Sequence, residues 1–314
     1  MKIVFCGTPQ FAVSTLEALI AAGHQIPLVV SQPDRLVGRH QQLTAPPVKQ
    51  AALAHGIEVA QPEKIKNNAE FRVQLEAIAP DAIVVVAYGR IIPAWMLALP
   101  RLGCINLHAS LLPKYRGAAP IQWAVAMGDA VTGNTTMLLE EGLDTGPILL
   151  QKTAPIAPTV TAADLFASLA VEGAPLVIET LAALNAGTLK PTPQDHAQAT
   201  LAPILTREDG HMDFAAHTAQ QLYDRWRGFQ PWPGGFALLD GKKFIAHQML
   251  VAEPQHSPAE TVPGTLVVDE KKLFVRCAAG SWLEIIELQL EGKKRMPAED
   301  FLRGASLAAG AHLV

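Results

Sequence analysis

The polar residues Asn106 and His108 have side chains of types that take part in catalysis, at a spacing that lets them act together. Asn106 and His108 are two residues apart in a predicted strand that begins at Cys104, so both project from one face of it. Asn106 offers an amide donor, and His108 can titrate near neutral pH. Asp144 follows in a turn rich in glycine and acidic residues, and its carboxylate could reach His108 and favour its protonated form.

An amide, an imidazole and a carboxylate can together transfer an acyl group to an amine. The donor carbonyl becomes a tetrahedral oxyanion, which Asn106 and protonated His108 would stabilise. The amine attacks directly, so no serine or cysteine nucleophile is needed, and its proton leaves through His108, Asp144 or water. Two other interpretations stay open. A single histidine in a strand is often structural, and an aspartate before Thr-Gly often only forms a turn.

The elements that must position these residues alternate between strands and helices in the first part of the chain. The apolar run Ala82–Val86 lacks alternation, as expected for a strand buried on both faces of a sheet. The pattern predicts an α/β fold with a mostly parallel twisted sheet and helices on both faces. The predicted strands are 2–6, 26–30, 82–86, 104–107, 132–140 and 147–153, and the predicted helices are 10–22, 46–55, 68–78, 119–128 and 161–186.

The later part of the chain has a different pattern. Prolines and a glycine between 186 and 206 predict an extended linker. One helix (215–228) and short strands follow, which favours a small closed or partly open barrel. The strands are predicted at 235–239, 243–250, 264–268, 272–278 and 282–290. We therefore predict a domain over 1–189, a linker over 190–205 and a second domain over 206–314.

Composition and motifs exclude several classes of protein. Gly7-Thr8-Pro9 lacks the three glycines of a dinucleotide-binding turn, and no phosphate-binding P-loop occurs. Three cysteines without a C-x-x-C pair argue against a disulfide framework and a zinc site, so we expect no metal. No apolar run reaches the ~20 residues that span a bilayer, so we expect no membrane contact and a cytoplasmic location. The net charge of −4 requires any nucleic acid contact to use local basic patches.

The segment Asp34–Pro47 is long for a connection in a compact α/β domain. It leaves the carboxyl end of the second strand, the edge of the sheet at which ligands bind. Loops of this size are usually lids or binding loops. It presents the polar residues Arg35, Arg39, His40, Gln41 and Gln42. A mobile, solvated loop is the alternative.

The motifs around the three polar residues resemble those of the folate-dependent formyltransferases. Asn106, His108, Ser110–Pro113, Tyr115–Gly117 and Asp144–Gly146 carry the resemblance. It extends over nearly the whole chain, through Phe5–Pro9, Gln32–Arg35, Pro47–Lys49, Val86–Gly89, Gly117–Trp123, Thr206–Gly210, Pro231–Gly234, Gln289–Lys294 and Phe301–Gly304. Two departures occur: Gln41 and Gln42 stand where relatives usually carry lysine or arginine, and Gln230 stands where asparagine is expected.

The resemblance implies the formyltransferase fold, with a C-terminal barrel of the OB type that helps hold tRNA. It also implies transfer of a formyl group from 10-formyltetrahydrofolate to the amino group of initiator methionyl-tRNA. Asn106, His108 and Asp144 would be catalytic. The folate would contact Ala87, Tyr88, Gly89, Arg90, Ile91, Ser110, Leu111, Leu112, Pro113, Leu139 and Glu141. The tRNA would contact Arg35, Arg39, His40, Gln41, Gln42, Lys293 and Lys294. We expect a monomer.

Other functions are compatible with the same residues. Formyl transfer to a small amine, such as an amino-sugar nucleotide or a purine-pathway nucleotide, would use the same three residues, but a purine-pathway enzyme needs no C-terminal barrel. A deformylating hydrolase would use them too, and we expect such an enzyme to carry a further domain before the first strand. A non-catalytic RNA-binding module is suggested by the barrel and by Lys293-Lys294-Arg295, although that cluster is equally a solvated turn.

Overall fold

The structure, a computed structural model, describes residues 1–38, 41–256, 261–304, 307 and 310–314. The chain divides into two compact units. The first comprises Met1–Ile121, Val131–Ile156 and Asp164–Pro203, and the second comprises Gln122–Ala130, Ala157–Ala163 and Ile204–Val314. The predicted domains are continuous in sequence, whereas both units are assembled from separate segments. The predicted division at 189 and 206 therefore stays a prediction about independent domains.

The first unit contains a seven-stranded sheet, two short strand pairs and covering helices. Its strands are β1 (Lys2–Gly7), β2 (Gln25–Val30), β3 (Arg35–Val37), β4 (Gln42–Thr44), β5 (Val59–Ala60), β6 (Ala82–Val86), β7 (Cys104–His108), β8 (Arg116–Gly117), β9 (Val131–Leu138), β10 (Ile148–Pro155) and β11 (Leu201–Ala202). Its helices are α1 (Gln10–Ala21), α2 (Pro47–Ala54), α3 (Ala69–Ile78) and α4 (Ala94–Leu97), while α5 (Pro120–Ala126) and α6 (Ala162–Asn185) each include residues of both units.

The large sheet has the order β10-β9-β7-β6-β1-β2-β5. The five strands from β7 to β5 are parallel. Strand β9 pairs antiparallel with β7, and β10 pairs antiparallel with β9, so only β9 runs against the other strands of the sheet. All five residues of β6 are buried, as the uniformly apolar sequence of that strand predicts. The α/β class and the mostly parallel sheet are confirmed. Because β1, β2, β6 and β7 are parallel, their carboxyl ends lie at one edge.

Helix α6 is the longest helix of the described chain, and it is long and apolar enough, by length and composition alone, to cross a membrane. Half of its most apolar window is buried. Leu169, Val177 and Leu181 on that buried face recur at helical spacing, and Thr180 hydrogen-bonds Thr136 of β9. A helix that covers a sheet meets the same criteria, so this helix is weak evidence for a membrane span. The expectation of no membrane contact stays a prediction.

The second unit contains an antiparallel sheet with the order β12-β13-β16-β15-β14. Its strands are β12 (Gly235–Leu239), β13 (Lys242–Val251), β14 (Leu266–Asp269), β15 (Lys272–Arg276), β16 (Trp282–Leu290) and β17 (Met296–Pro297), and its helices are α7 (Ala219–Gly228) and α8 (Ala298–Gly304). Helix α7 begins later than predicted because Thr218 and Gln221 form a capping box.

The C-terminal tail closes this sheet. Leu313 bridges to Leu239 of β12, and His312 bridges to Thr265, immediately before β14. The tail therefore hydrogen-bonds to the two strands that would otherwise be the free edges. Phe244, Leu273, Leu283 and other buried side chains fill the interior. The predicted C-terminal β domain is confirmed, and its strands are antiparallel. The role of the tail is an addition that the strand pattern did not predict.

Candidate active site

The carboxyl end of β7 carries the two residues that the sequence singled out. Asn106 is 9% exposed and His108 is 6% exposed. Their positions in one strand, two residues apart, put both side chains on the same face of the sheet. Within the described residues the side-chain amide of Asn106 has no hydrogen-bond partner. A nearly buried amide that the protein leaves unpaired can donate a hydrogen bond to a ligand.

Each ring nitrogen of His108 faces a different group. Nε2 lies 2.9 Å from the backbone carbonyl oxygen of Tyr115, and Nδ1 lies 3.7 Å from Oδ2 of Asp144. A carbonyl oxygen only accepts, so Nε2 carries a hydrogen and donates it. Nδ1 is therefore the nitrogen that can take up or release a proton, and it faces a carboxylate. The distance of 3.7 Å is too long for a hydrogen bond but short enough for an ion pair when the ring is protonated.

Asp144 reaches this position by an unexpected route. Strand β9 is antiparallel to β7, and its register places Leu138 beside Ile105, near the start of β7. The loop after β9 must therefore turn back along β7 to bring the Asp144 carboxylate to His108. The carboxylate also accepts a hydrogen bond of 2.8 Å from the backbone N–H of Gly117. That bond ties the aspartate to the turn that follows β7.

The turn after β7, residues 110–117, is held by internal hydrogen bonds. The Ser110 hydroxyl donates to the carbonyl of Lys114 at 2.6 Å. Thr135 of β9 donates to the carbonyl of Ser110 and accepts from the N–H of Leu112. These polar groups of Ser110 and Leu112 are thus paired within the protein, which favours one conformation of the turn.

Residues 192–202, which the sequence predicts to be part of a linker, pack on the first unit as a strap. Thr192 pairs with Ile148, and β11 pairs in parallel with β8. Gln194, 6% exposed, lies between the Asp144 loop and Arg116. The sequence predicts an extended linker here, and in the structure backbone hydrogen bonds and a buried glutamine attach this stretch to neighbouring segments of the first unit. Gln194 and Thr200 lie among prolines and polar residues, and no periodicity marks them in the sequence.

The residues predicted to contact folate differ in exposure. Four of these residues are exposed: Ala87, Gly89, Ile91 and Glu141. Four are half-buried: Arg90, Leu111, Pro113 and Leu139. The other three are buried: Tyr88, Ser110 and Leu112. Tyr88 packs in the core beneath the sheet, its hydroxyl has no partner, and burial raises its pKa well above the usual value. Its backbone carbonyl already accepts hydrogen bonds from Thr8 and Gln32. The Tyr88 side chain is therefore a core residue rather than an exposed contact.

The segment predicted to contact tRNA forms a hairpin of β3 and β4. All six strand residues are exposed, including Arg35 and Gln42, and Gln41 of the turn is exposed as well. Leu36 and Leu43 pair across the hairpin with 58% and 65% exposure. Arg39 and His40 lie outside the described residues. Lys293 and Lys294 are exposed at the turn that follows β16 in the second unit.

The base of the hairpin is fixed by an ion pair. Lys49 Nζ lies 2.8 Å from Oδ2 of Asp34 and 2.7 Å from Oε1 of Gln61. Gln61 in turn donates to Asp34 and to the carbonyl of Gln32. The hydrogen bond from Lys49, followed by that from Gln61, lowers the pKa of Asp34 below its usual value. The hairpin is thus anchored where it leaves the sheet and exposed along its length.

Nothing in the part of the chain that the structure describes suggests a metal centre. Among those residues, no group of three or more histidine, cysteine, aspartate or glutamate side chains could hold an ion. The cysteines Cys6, Cys104 and Cys277 are free and buried, and burial raises the pKa of each thiol. Buried thiols of this kind are poor nucleophiles.

Comparison with known families gives the class of the protein. Residues 1–181 match the model of the formyl transferase family, and residues 204–306 match that of the formyl transferase C-terminal domain. The chain belongs to the formyl transferase family, which confirms the predicted family and type of enzyme.

Relatives of high sequence identity within the family share one name, methionyl-tRNA formyltransferase. The chain is 67% identical to the methionyl-tRNA formyltransferase of Acidobacterium capsulatum over 98% of both chains. It is 57% identical to the methionyl-tRNA formyltransferase of Koribacter versatilis, over 97% of this chain and 96% of that one.

Solved structures share the fold. An N-formyltransferase from Helicobacter canadensis, in complex with folinic acid and dTDP-3-aminofucose, has a TM-score of 0.65 at 18% identity, covering 91% of this chain and 98% of that one. HypX from Aquifex aeolicus in complex with tetrahydrofolic acid has a TM-score of 0.58 at 17% identity, covering 96% of this chain and 47% of that one. At this identity the likeness concerns the fold alone.

Proposed function

We propose that the chain transfers the formyl group of 10-formyltetrahydrofolate to the free amino group of methionyl-tRNA, and that Asn106, His108 and Asp144 carry out the transfer. One observation supports the catalytic assignment above the others. An unpaired, nearly buried amide and an imidazole project from one face at the carboxyl end of β7, with a carboxylate 3.7 Å from the imidazole. The high identity to proteins named methionyl-tRNA formyltransferase supports the choice of acceptor.

The reaction proceeds by direct attack of the amine. The nitrogen lone pair of the methionyl amino group forms a bond to the formyl carbon, and the carbonyl oxygen becomes an oxyanion. The Asn106 amide donates a hydrogen bond to that oxyanion, and so does Nδ1 of His108 when it is protonated. Collapse of the intermediate breaks the bond to N10 of the folate. The amine loses a proton toward His108 or Asp144, and N10 gains one.

Exposed apolar groups fit the flat ring of a folate. Ile91, just beyond β6, is 87% exposed, and Leu143, beside Asp144, is 64% exposed. Exposed apolar side chains beside buried polar groups are typical of a small-molecule site. Ala87 and Gly89 lie exposed at the same edge, and their small side chains leave the main chain accessible to a ligand. These residues would contact the ring, while Asn106 and His108 contact the formyl group.

The acceptor tRNA would be held by exposed side chains. The hairpin β3–β4 follows the carboxyl end of β2, and Arg35, Gln41 and Gln42 lie on it. Lys293 and Lys294 in the second unit carry positive charge. Phosphate contacts from such residues supply affinity without base specificity. The enzyme acts in translation initiation, in the cytoplasm, and we expect it to act as a monomer.

One experiment tests the acceptor. The purified chain with 10-formyltetrahydrofolate is offered methionyl-tRNA and, separately, an amino-sugar nucleotide and a purine-pathway amine, and formylated product is measured. We expect formylation of methionyl-tRNA only. Formylation of a small amine alone would support the alternative acceptor, and binding of tRNA without formylation would support an RNA-binding module.

A further inference from the structure

The two groups that contact His108 come from residues with unusual backbone conformations. Tyr115, whose carbonyl accepts from Nε2, has φ of 61°, and Asp144 has φ of 51°. Both angles lie in the left-handed region, which is unfavourable for residues with a side chain and persists only where surrounding contacts impose it. The contacts that impose these conformations therefore control where the partners of the imidazole lie.

Thr200 of the strap holds the first partner. Its hydroxyl oxygen accepts from the N–H of Tyr115 at 2.9 Å, and its carbonyl accepts from the N–H of Arg116 at 2.8 Å. Its own N–H donates to the carbonyl of Pro113. Three hydrogen bonds from one strap residue thus fix the turn on both sides of the Tyr115 carbonyl.

Gln194 of the strap holds the second partner. Its Nε2 donates to the carbonyl of Asp144 at 2.8 Å and to that of Gly146 at 2.6 Å. Its Oε1 accepts two hydrogen bonds from Arg116, of 2.7 and 3.1 Å. Carbonyls only accept and a guanidinium only donates, so these four bonds fix the orientation of the amide. The glutamine is buried, so removing its amide would leave buried groups unpaired.

Arg116 completes the connection. It follows Tyr115 directly, and its side chain is buried against Gln194 and Nδ1 of His196. The strap therefore joins the turn that carries one partner of His108 to the loop that carries the other. A single buried side chain, that of Gln194, touches both.

We propose that Gln194 and Thr200 are positioning residues of the active site, which set the direction and spacing of the Asp144 carboxylate and the Tyr115 carbonyl around His108. The proposal rests on the proposed function for its kinetic test only. The strap is then part of the catalytic machinery, and the first domain extends functionally to residue 202. Both residues act through the backbone groups that they bond rather than through a substrate contact.

The kinetic test compares Gln194→Leu and Gln194→Glu with the matched control Gln198→Leu. Gln198 lies on the same strap, is exposed, and bonds only the Asp195 side chain. Glutamate keeps the acceptor for Arg116 but loses both donors to the loop. Displacing a catalytic group by about 1 Å can lower the reaction rate by about 100-fold, so we expect kcat of both Gln194 variants to fall by about that factor. KM for both substrates should stay within about twofold of wild type, since no substrate contact is lost.

Thr200 is tested with Thr200→Val, Thr200→Ser and the control Thr192→Val. Valine removes the hydroxyl that accepts from the N–H of Tyr115, so we expect kcat to fall by about fivefold. Serine keeps the hydroxyl and should restore wild-type kcat. Thr192 pairs with Ile148 through its backbone only, so its variant should match wild type. Wild-type kcat in Gln194→Glu and Thr200→Val would overturn the proposal.

A spectroscopic measurement separates this proposal from the proposed function. The Nε2–H of His108 gives an imidazole resonance, identified by its loss in His108→Gln. In Gln194→Glu and Thr200→Val we expect a shifted resonance and faster hydrogen exchange, without any substrate. If wild type failed to formylate methionyl-tRNA but these shifts occurred, the function would be wrong and the positioning right. Unchanged resonances with a lowered melting temperature would show a merely structural role and overturn the proposal.

Discussion

The turn 110–117 and the hairpin β3–β4 follow parallel strands at the same edge of one sheet, yet they are built in opposite ways. In the turn, Ser110, Leu112 and Arg116 are buried and hydrogen-bonded to neighbouring segments. In the hairpin, every strand residue is exposed, and two leucines point into solvent. Among the described residues of the hairpin and its flanks, Lys49 and Asp34 provide an anchor at its base.

The difference corresponds to two tasks. Groups that stabilise a transition state must stay within a fraction of an ångström of their position, so the chain satisfies and buries the atoms around them. A segment that contacts a large polyanion gains from side chains left free for the partner, and it can adjust on binding. We therefore expect substitutions in the turn to lower kcat and substitutions in the hairpin to alter KM for tRNA.

The largest effect is expected at the three catalytic candidates. Replacing Asn106, His108 or Asp144 with alanine should lower kcat by about 100-fold or more, since one oxyanion donor is worth ~100–1000-fold. Single-turnover formylation of methionyl-tRNA measures it, with circular dichroism to establish that the fold persists. A near-normal rate in His108→Ala would contradict the mechanism.

A smaller effect is expected at the base of the hairpin. Lys49→Met removes the ion pair to Asp34 and the bond to Gln61, so the hairpin loses its anchor. A hairpin without its anchor is less well placed for the acceptor, so KM for methionyl-tRNA should rise by roughly three- to fivefold with kcat unchanged. Lys66→Met, which removes an exposed charge with no described partner, is the control. An equal rise in both variants would indicate lost net charge rather than a loosened hairpin.

The departure at Gln41 and Gln42 predicts a change in salt dependence. Replacing both with lysine should tighten tRNA binding and steepen the slope of log affinity against log salt by up to ~0.7 for each new contact to single-stranded phosphate. Binding across a salt series measures the slope. Identical slopes in wild type and the double variant would mean that the hairpin does not touch the phosphates of the acceptor.

The smallest effect concerns the protonation of Asp34. Its pKa is lowered in the folded protein, so its bonds to Lys49 and Gln61 stabilise the folded state above about pH 4, the unfolded value. That stabilisation is lost as the pH falls through the lower folded pKa. Carboxyl resonances followed by NMR should give a higher Asp34 pKa in Lys49→Met than in wild type. An unchanged value would show that the lysine does not hold the carboxylate in solution.

Much of the fold follows from local patterns in the sequence. The unbroken apolar run Ala82–Val86 predicts a strand buried on both faces, and helical spacing predicts α6 almost to the residue. Asn106 and His108 lie on one face for a reason that is equally local, because side chains alternate along a strand. The candidate pair at the carboxyl end of β7 could therefore be found without the structure.

Other parts of the fold and of the candidate site depend on contacts between segments that are distant in sequence. Strand β9 pairs antiparallel, so Asp144 reaches His108 only because its loop turns back along β7, and no pattern within the loop encodes that path. The stretch around Gln194 has the composition of a linker, but a buried amide that makes four hydrogen bonds to Arg116, Asp144 and Gly146 attaches it to the turn and the loop. Hydrogen bonds between distant segments leave no periodicity, so the sequence determined which residues could act, and only tertiary structure decided which residues hold them.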